Sequence, residues 1–120
     1  MPFLFLGSVF GFLSVAFGAF GAHALKDRLV PADLEIFKTA VLYQMVHALA
    51  LVAVGLWLRS QPSASVERAG WAFVVGTVVF CGSLYFLVLT GPRALGAITP
   101  IGGVSFLLGW AFLAYASLRA

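Results

Sequence analysis

The sequence predicts an all-α polytopic membrane protein: four transmembrane helices in an antiparallel bundle, forming a single domain over 1–120. Two observations predict that class. First, four apolar runs, Phe3–Leu25, Thr39–Leu58, Trp71–Thr90 and Ile98–Leu118, occupy most of the chain. Each meets the requirement of about 20 apolar residues for crossing a hydrocarbon core of roughly 30 Å. Second, the chain is 62% hydrophobic and only 9% charged, with a mean hydropathy of +1.08. Soluble domains carry about 25% charged residues, so this inventory cannot build a water-facing surface. The expected helices cover 3–25, 32–58, 71–90 and 98–118. The connections left between them leave no room for a soluble catalytic domain.

The first helix places Gly7, Gly11, Ser14, Gly18 and Ala22 at steps of four, three, four and four, which puts these small residues on one face. In lipid, helices associate through close packing, and such a face lets backbones approach. Packing within the chain is the expected use; a contact between copies is the alternative. Ala22-His23-Ala24 has the look of a signal-peptide cleavage site, but no Lys or Arg precedes the apolar run. The run is also longer than the usual signal core of about 7–15 residues, so a retained helix is expected.

Lys26, Asp27, Arg28, Asp33, Glu35 and Lys38 concentrate charge before the second apolar run. Pro31 suits a first helical position, and Asp33 and Glu35 suit the first turns, where the helix dipole favours acids. The second helix is therefore expected to start near Pro31, outside the hydrocarbon. Arg59-Ser-Gln-Pro-Ser-Ala-Ser-Val-Glu-Arg68 reads as a polar, turn-rich connection flanked by Trp57 and Trp71 at interfacial depth. Thr99 and Pro100 are expected to supply a cap and a first-turn proline for the fourth helix, on which Gly102, Ser105, Gly109 and Ala116 form a second small-residue face.

The formal charge of +3 does not predict nucleic-acid binding, because the seven Lys and Arg residues sit at the ends of the apolar runs, where headgroups anchor them. Four crossings put both termini and the second loop on one side. Arg59, Arg68 and Arg119 then face Lys26, Arg28, Lys38 and Arg93 across the membrane, and three against four fixes no orientation. Cys81 is the only cysteine, so it can form no intramolecular disulfide, and it lacks the neighbours of a metal site.

The polar side chains inside the apolar runs gather toward the first and third loops. With a rise of 1.5 Å per residue, His23 lies about 3 Å deep, Tyr43 and Gln44 about 6–8 Å, and His47 about 12 Å. Tyr85, Ser83, Ser105 and Cys81 fall at about 8–14 Å from the other helices, and Thr99 at the boundary. His23, Tyr43, Gln44, His47, Ser83, Tyr85, Thr99 and Ser105 are thus the candidate polar cluster. His47 admits two readings, a proton relay or metal or haem ligand, and a neutral imidazole in an interhelical hydrogen bond worth about 0.6–2 kcal/mol. The second is preferred, because no carboxylate lies within the hydrocarbon. His23 and His47 differ in depth by about 9 Å, which is awkward for two ligands of one ion. No catalytic residue, cofactor or metal site is expected.

Gly18-Ala-Phe-Gly-Ala-His23, Tyr43-Gln44 with His47-Ala-Leu, Gly82-Ser-Leu-Tyr85 and Thr99-Pro-Ile-Gly-Gly-Val-Ser-Phe-Leu-Leu-Gly-Trp110 also carry a resemblance. Over nearly the whole chain the sequence resembles the bacterial family called domain of unknown function 423, whose eukaryotic relatives resemble transmembrane protein 256. The resemblance implies a small four-helix protein of the bacterial inner membrane, and no established activity. Members often end in a basic tail that implies cytoplasmic termini; here only Arg119 remains of it.

The expected function is non-enzymatic: an accessory or scaffold component in contact with membrane lipids, alone, as a homo-oligomer or within a larger membrane assembly. The alternative is lipid or small-molecule binding or transport through a pocket in the polar half-layer. A haem-linked role follows, and enzyme catalysis comes last, since only two histidines offer titratable groups there.

Overall fold

The computed structural model describes residues 2–120. Four helices are long and apolar enough to cross a membrane: α1 (Phe3–Leu25), α2 (Pro31–Ser60), α3 (Ala64–Thr90) and α4 (Thr99–Arg119), the last preceded by a 3₁₀ turn, Arg93–Ala97. Among the described residues there is no strand. The molecule is 48 Å along its longest axis. That length suits a bilayer of about 40–45 Å including its headgroups.

Local chemistry explains the helix ends. Val30 is extended and Pro31 opens α2, with Asp33 in its first turn, as the sequence predicts. α3 begins at Ala64 instead of near Trp71. Ser63 is extended and its hydroxyl accepts the Val66 N–H at 3.2 Å, so the polar residues up to Arg68 form an interfacial helical turn rather than loop. α3 stops at Gly91, whose φ of 89° gives the left-handed cap that closes on the Leu87 carbonyl at 2.9 Å, and Pro92 follows. Thr99 does not cap α4: the preceding Ile98 is itself helical, and the Thr99 hydroxyl turns to Ser83 and the Leu95 carbonyl instead.

The helices pair as two hairpins, α1 with α2 and α3 with α4, and α2 also packs on α3. Half of the most apolar window of α2 is buried, against 17% of that of α1, so α2 is the central rod. The α1–α2 seam closes at Gly7, where a Cβ would stand 2.9 Å from the Ala48 oxygen and the Val52 nitrogen. Gly11 is looser, at 3.9 Å from the Ala48 side chain, while Gly18 approaches Val41 and Ser14 is buried. Ala22 packs on the cluster around Phe37 and Val41. The α3–α4 seam is built differently. The Phe80 backbone lies against Gly102, the Phe73 ring against Gly109, and the Phe106 ring against Gly76.

Both α1 and α3 contain a widened turn of π-helix, at Phe17–Gly21 and Thr77–Cys81. Such insertions shift which side chains face a neighbour. Phe17, in the first, meets the Tyr85 ring edge to face at 5.2 Å. Leu4 and Arg59 border one recess, and Ser63, Tyr115 and Arg119 another, which puts both termini at the end of the α2–α3 loop. Outward-facing Phe5, Phe12, Leu49, Leu107 and Leu118 present an apolar surface that lipid tails solvate as well as protein does.

Candidate functional site

Gln44 and His47 lie three residues apart on α2, and both are buried. The Gln44 amide spends both ends. Its Nε2 donates to the Phe10 carbonyl of α1 at 2.9 Å, and its Oε1 accepts the Tyr85 hydroxyl of α3 at 2.7 Å. One side chain therefore ties three helices together. His47 is equally committed. Its Nδ1 lies 2.7 Å from the Tyr43 carbonyl, which can only accept, and its Nε2 lies 3.0 Å from the Trp110 indole N–H, which can only donate. The ring is thus the Nδ1–H tautomer, neutral, with its Nε2 lone pair occupied. It stacks on Phe106 at 3.7 Å between centroids, with Phe73 at 5.4 Å.

Two further pairs join α3 and α4. The Ser83 and Thr99 hydroxyls meet at 2.6 Å, one donating to the other while the remaining proton goes to the Phe80 carbonyl or to the Leu95 carbonyl, and the Ser105 hydroxyl donates to the Ala72 carbonyl at 2.7 Å. Together these contacts form a belt: Ser83 and Thr99 near the third loop, Gln44 and Tyr85 deeper, and His47 with Trp110 at mid-bundle. Unpaired polar groups in hydrocarbon cost several kcal/mol, roughly, so the belt removes a penalty as much as it adds an attraction.

Two residues of the expected cluster stand apart. His23 is exposed near the end of α1 and joins none of these contacts. Tyr43 contributes its backbone carbonyl, while its ring lies on the outer side against Phe80 at 4.8 Å. Sequence reasoning missed two others. Trp110 is the partner of His47, and its place two helices further along the chain gave no local signal. Thr77 sits in the π turn of α3, where its Oγ1 is buried without a hydrogen-bond partner.

Of the belt residues only Tyr85 borders a described cavity, an apolar recess of about 320 Å³ walled by Phe17, Leu25, Phe37 and Leu89. Gln44, His47, Ser83 and Ser105 pack against their partners, and no described cavity opens onto them. Among the described residues no three His, Cys, Asp or Glu side chains come together as a metal site would require. Cys81 is buried and free.

The family model described as "Protein of unknown function (DUF423)" matches residues 17–103, a span that contains every belt residue except Phe10, Ser105 and Trp110. The chain belongs to this family. It is 48% identical over 117 residues to a "UPF0382 membrane protein" of Staphylococcus epidermidis, covering 98% of this chain and 95% of that one. It is 42% identical over 119 residues to the "UPF0382 membrane protein YwdK" of Bacillus subtilis, covering 98% and 96%. No solved structure matches it. Like these DUF423 relatives it is a membrane protein, and the family description indicates no activity.

Proposed function

We propose that this DUF423 protein is a non-enzymatic accessory or scaffold component of the bacterial inner membrane, working as a homo-oligomer or as part of a larger membrane assembly. The observation that carries the reading is the commitment of the belt. Both ring nitrogens of His47 are bound within the bundle, and Gln44 spends one N–H and one lone pair on two other helices, so both side chains are engaged in holding helices together. Polar groups in that state act as interhelical connectors. The shallow groove along α1 and α2, floored by Gly11 and Ala48 and walled by Phe12 and Leu49, gives a partner helix a place to lie.

Native mass spectrometry from a gentle detergent tests the reading. A dimer, a higher oligomer or a stoichiometric membrane partner is the expected result; a stable monomer that carries no other protein out of its native membrane overturns it. The resemblance to a family whose members often end in basic tails supports a cytoplasmic position for the ends and the α2–α3 loop. An impermeant maleimide should therefore label Ser60→Cys, in a Cys81→Ser background, only after the cells are opened.

A further inference from the structure

The two ends of the bundle hold their charge differently. At the end of the first and third loops, Lys38 pairs with Glu35 at 3.9 Å and Arg93 with Asp33 at 3.7 Å. At the other end stand Arg59, Arg68 and Arg119 with Glu67 as the one acidic side chain, and among the described residues none of them forms an ion pair. Arg68 and Arg119 share a recess of about 440 Å³ with Ser65 and Tyr115, at the first turn of α3. The Arg119 guanidinium sits 5.7 Å above the Tyr115 ring centre and donates to that residue's own hydroxyl at 3.3 Å, which orients it at the rim.

That recess continues into the membrane. Ser65, Arg68 and Tyr115 also border a second cavity of about 470 Å³, otherwise walled by Leu108, Ala111 and Phe112 on the outer face of α4. A cationic, hydroxyl-bearing mouth at headgroup depth thus opens directly onto an apolar trough between α3 and α4. This order, cation first and hydrocarbon below, is that of a phospholipid. The geometry points to a binding site for one anionic glycerophospholipid, its headgroup phosphate between Arg68 and Arg119 and an acyl chain along Leu108 and Phe112. Arginine suits phosphate because its planar fork donates two parallel hydrogen bonds. The dipole of α3, whose first turn borders the mouth, adds to the same preference. The site is independent of the polar belt and of the proposed scaffold role.

The test is lipid retention by the intact protein, read by native mass spectrometry with phosphatidylglycerol and phosphatidylcholine in competition. Wild type should retain one phosphatidylglycerol in preference. Arg68→Gln and Arg119→Gln should each weaken that preference about fivefold, and the pair more, since each basic residue near an anionic surface contributes on that order. Ala111→Trp, which fills the trough without touching charge, should lower retention of both lipids. Inorganic phosphate should compete poorly, because it has no chain to fill the trough. Equal retention of the two lipids by wild type, an unchanged preference in the double arginine variant, or competition by inorganic phosphate undiminished by Ala111→Trp overturns the proposal. Unchanged helical circular dichroism and elution volume confirm that each variant is folded.

Discussion

The seam inside each hairpin and the seam between the hairpins are made by different means. Within α1–α2 and within α3–α4, glycines bring helices into backbone or ring contact, at Gly7 on one side and at Gly102 and Gly109 on the other. Between the hairpins, the two hydrogen bonds that cross run from side chain to side chain, Tyr85 to Gln44 and Trp110 to His47. Helices joined by a short loop are already neighbours, and to the glycine contacts their seams add hydrogen bonds that end on a backbone carbonyl, from Gln44 to Phe10 and from Ser105 to Ala72, or join two hydroxyls near the loop, Ser83 and Thr99. Two hairpins have rotation and register still to fix, and lipid tails give them no hydrophobic reason to meet. Directional bonds supply that specificity, and both of those between the hairpins end on α2.

The largest expected effect comes from breaking a hairpin seam. Gly102→Leu would drive a side chain into the Phe80 backbone, which cannot move without displacing α3. Overpacking of this kind costs about 1–3 kcal/mol or more, so thermal unfolding in detergent should show strong destabilisation or loss of the folded protein. Gly82→Leu is the control: nothing lies within 4 Å of a Cβ there, and its stability should stay close to that of wild type. Equal behaviour of the two would remove the steric account of the seam.

Next comes the connector between three helices. Gln44→Leu removes two hydrogen bonds and leaves the Tyr85 hydroxyl unpaired in a low-dielectric interior, at a cost of about 1–3 kcal/mol. Tyr85→Phe alone should cost less, and the double variant should be less damaged than the sum of the two, because the orphaned hydroxyl is gone. Additive losses would mean that the hydroxyl and the amide are not coupled. A smaller coupling, about 0.6–1.7 kcal/mol, is expected from the cycle of His47→Phe with Trp110→Phe. Since the His47 ring lies flat on Phe106, phenylalanine keeps that stack and isolates the hydrogen bond.

The contrast between the seams also explains what was legible in the sequence. Four spans follow from apolar length alone. The small residues of the hairpin seams follow from helical spacing, so Gly7, Gly102 and Gly109 stand out by their positions along the chain. The polar belt was legible as depth but not as direction. Depth placed His23 with the others, whereas its azimuth turns it outward. Gln44 and His47 could be assigned to one inward stripe because they share a helix, but the identity of a partner on another helix has no local signature. Trp110, half-exposed on α4, resembles any other membrane tryptophan in sequence, and only the fold brings its N–H to His47. The early start of α3 was hidden by the polar composition of Ser63–Arg68, which describes an interfacial turn as readily as a loop. The π turns break the 3.6-residue period on which any assignment of helix faces depends.

Thr77 is where the two kinds of seam fail to meet, and it gives the smallest and most discriminating prediction. It lies on α3 in the π turn, and its buried hydroxyl has neither the glycine-like compactness of the hairpin seams nor a partner in the belt. A threonine hydroxyl inside a helix can usually return to the carbonyl three or four residues earlier. Here the Phe73 and Val74 carbonyls, four and three residues earlier, take the Thr77 backbone N–H, and the hydroxyl bonds to neither. Thr77→Val keeps the shape and removes the unsatisfied oxygen, so it should leave stability unchanged or raise it by up to about 1 kcal/mol. Ser83→Ala should do the opposite, because the Ser83 hydroxyl bridges the Thr99 hydroxyl and the Phe80 carbonyl. Thermal unfolding of the two variants side by side settles the sign. A destabilised Thr77→Val protein would mean that its hydroxyl is bonded within the membrane after all, and that α3 takes part in the belt at a second level.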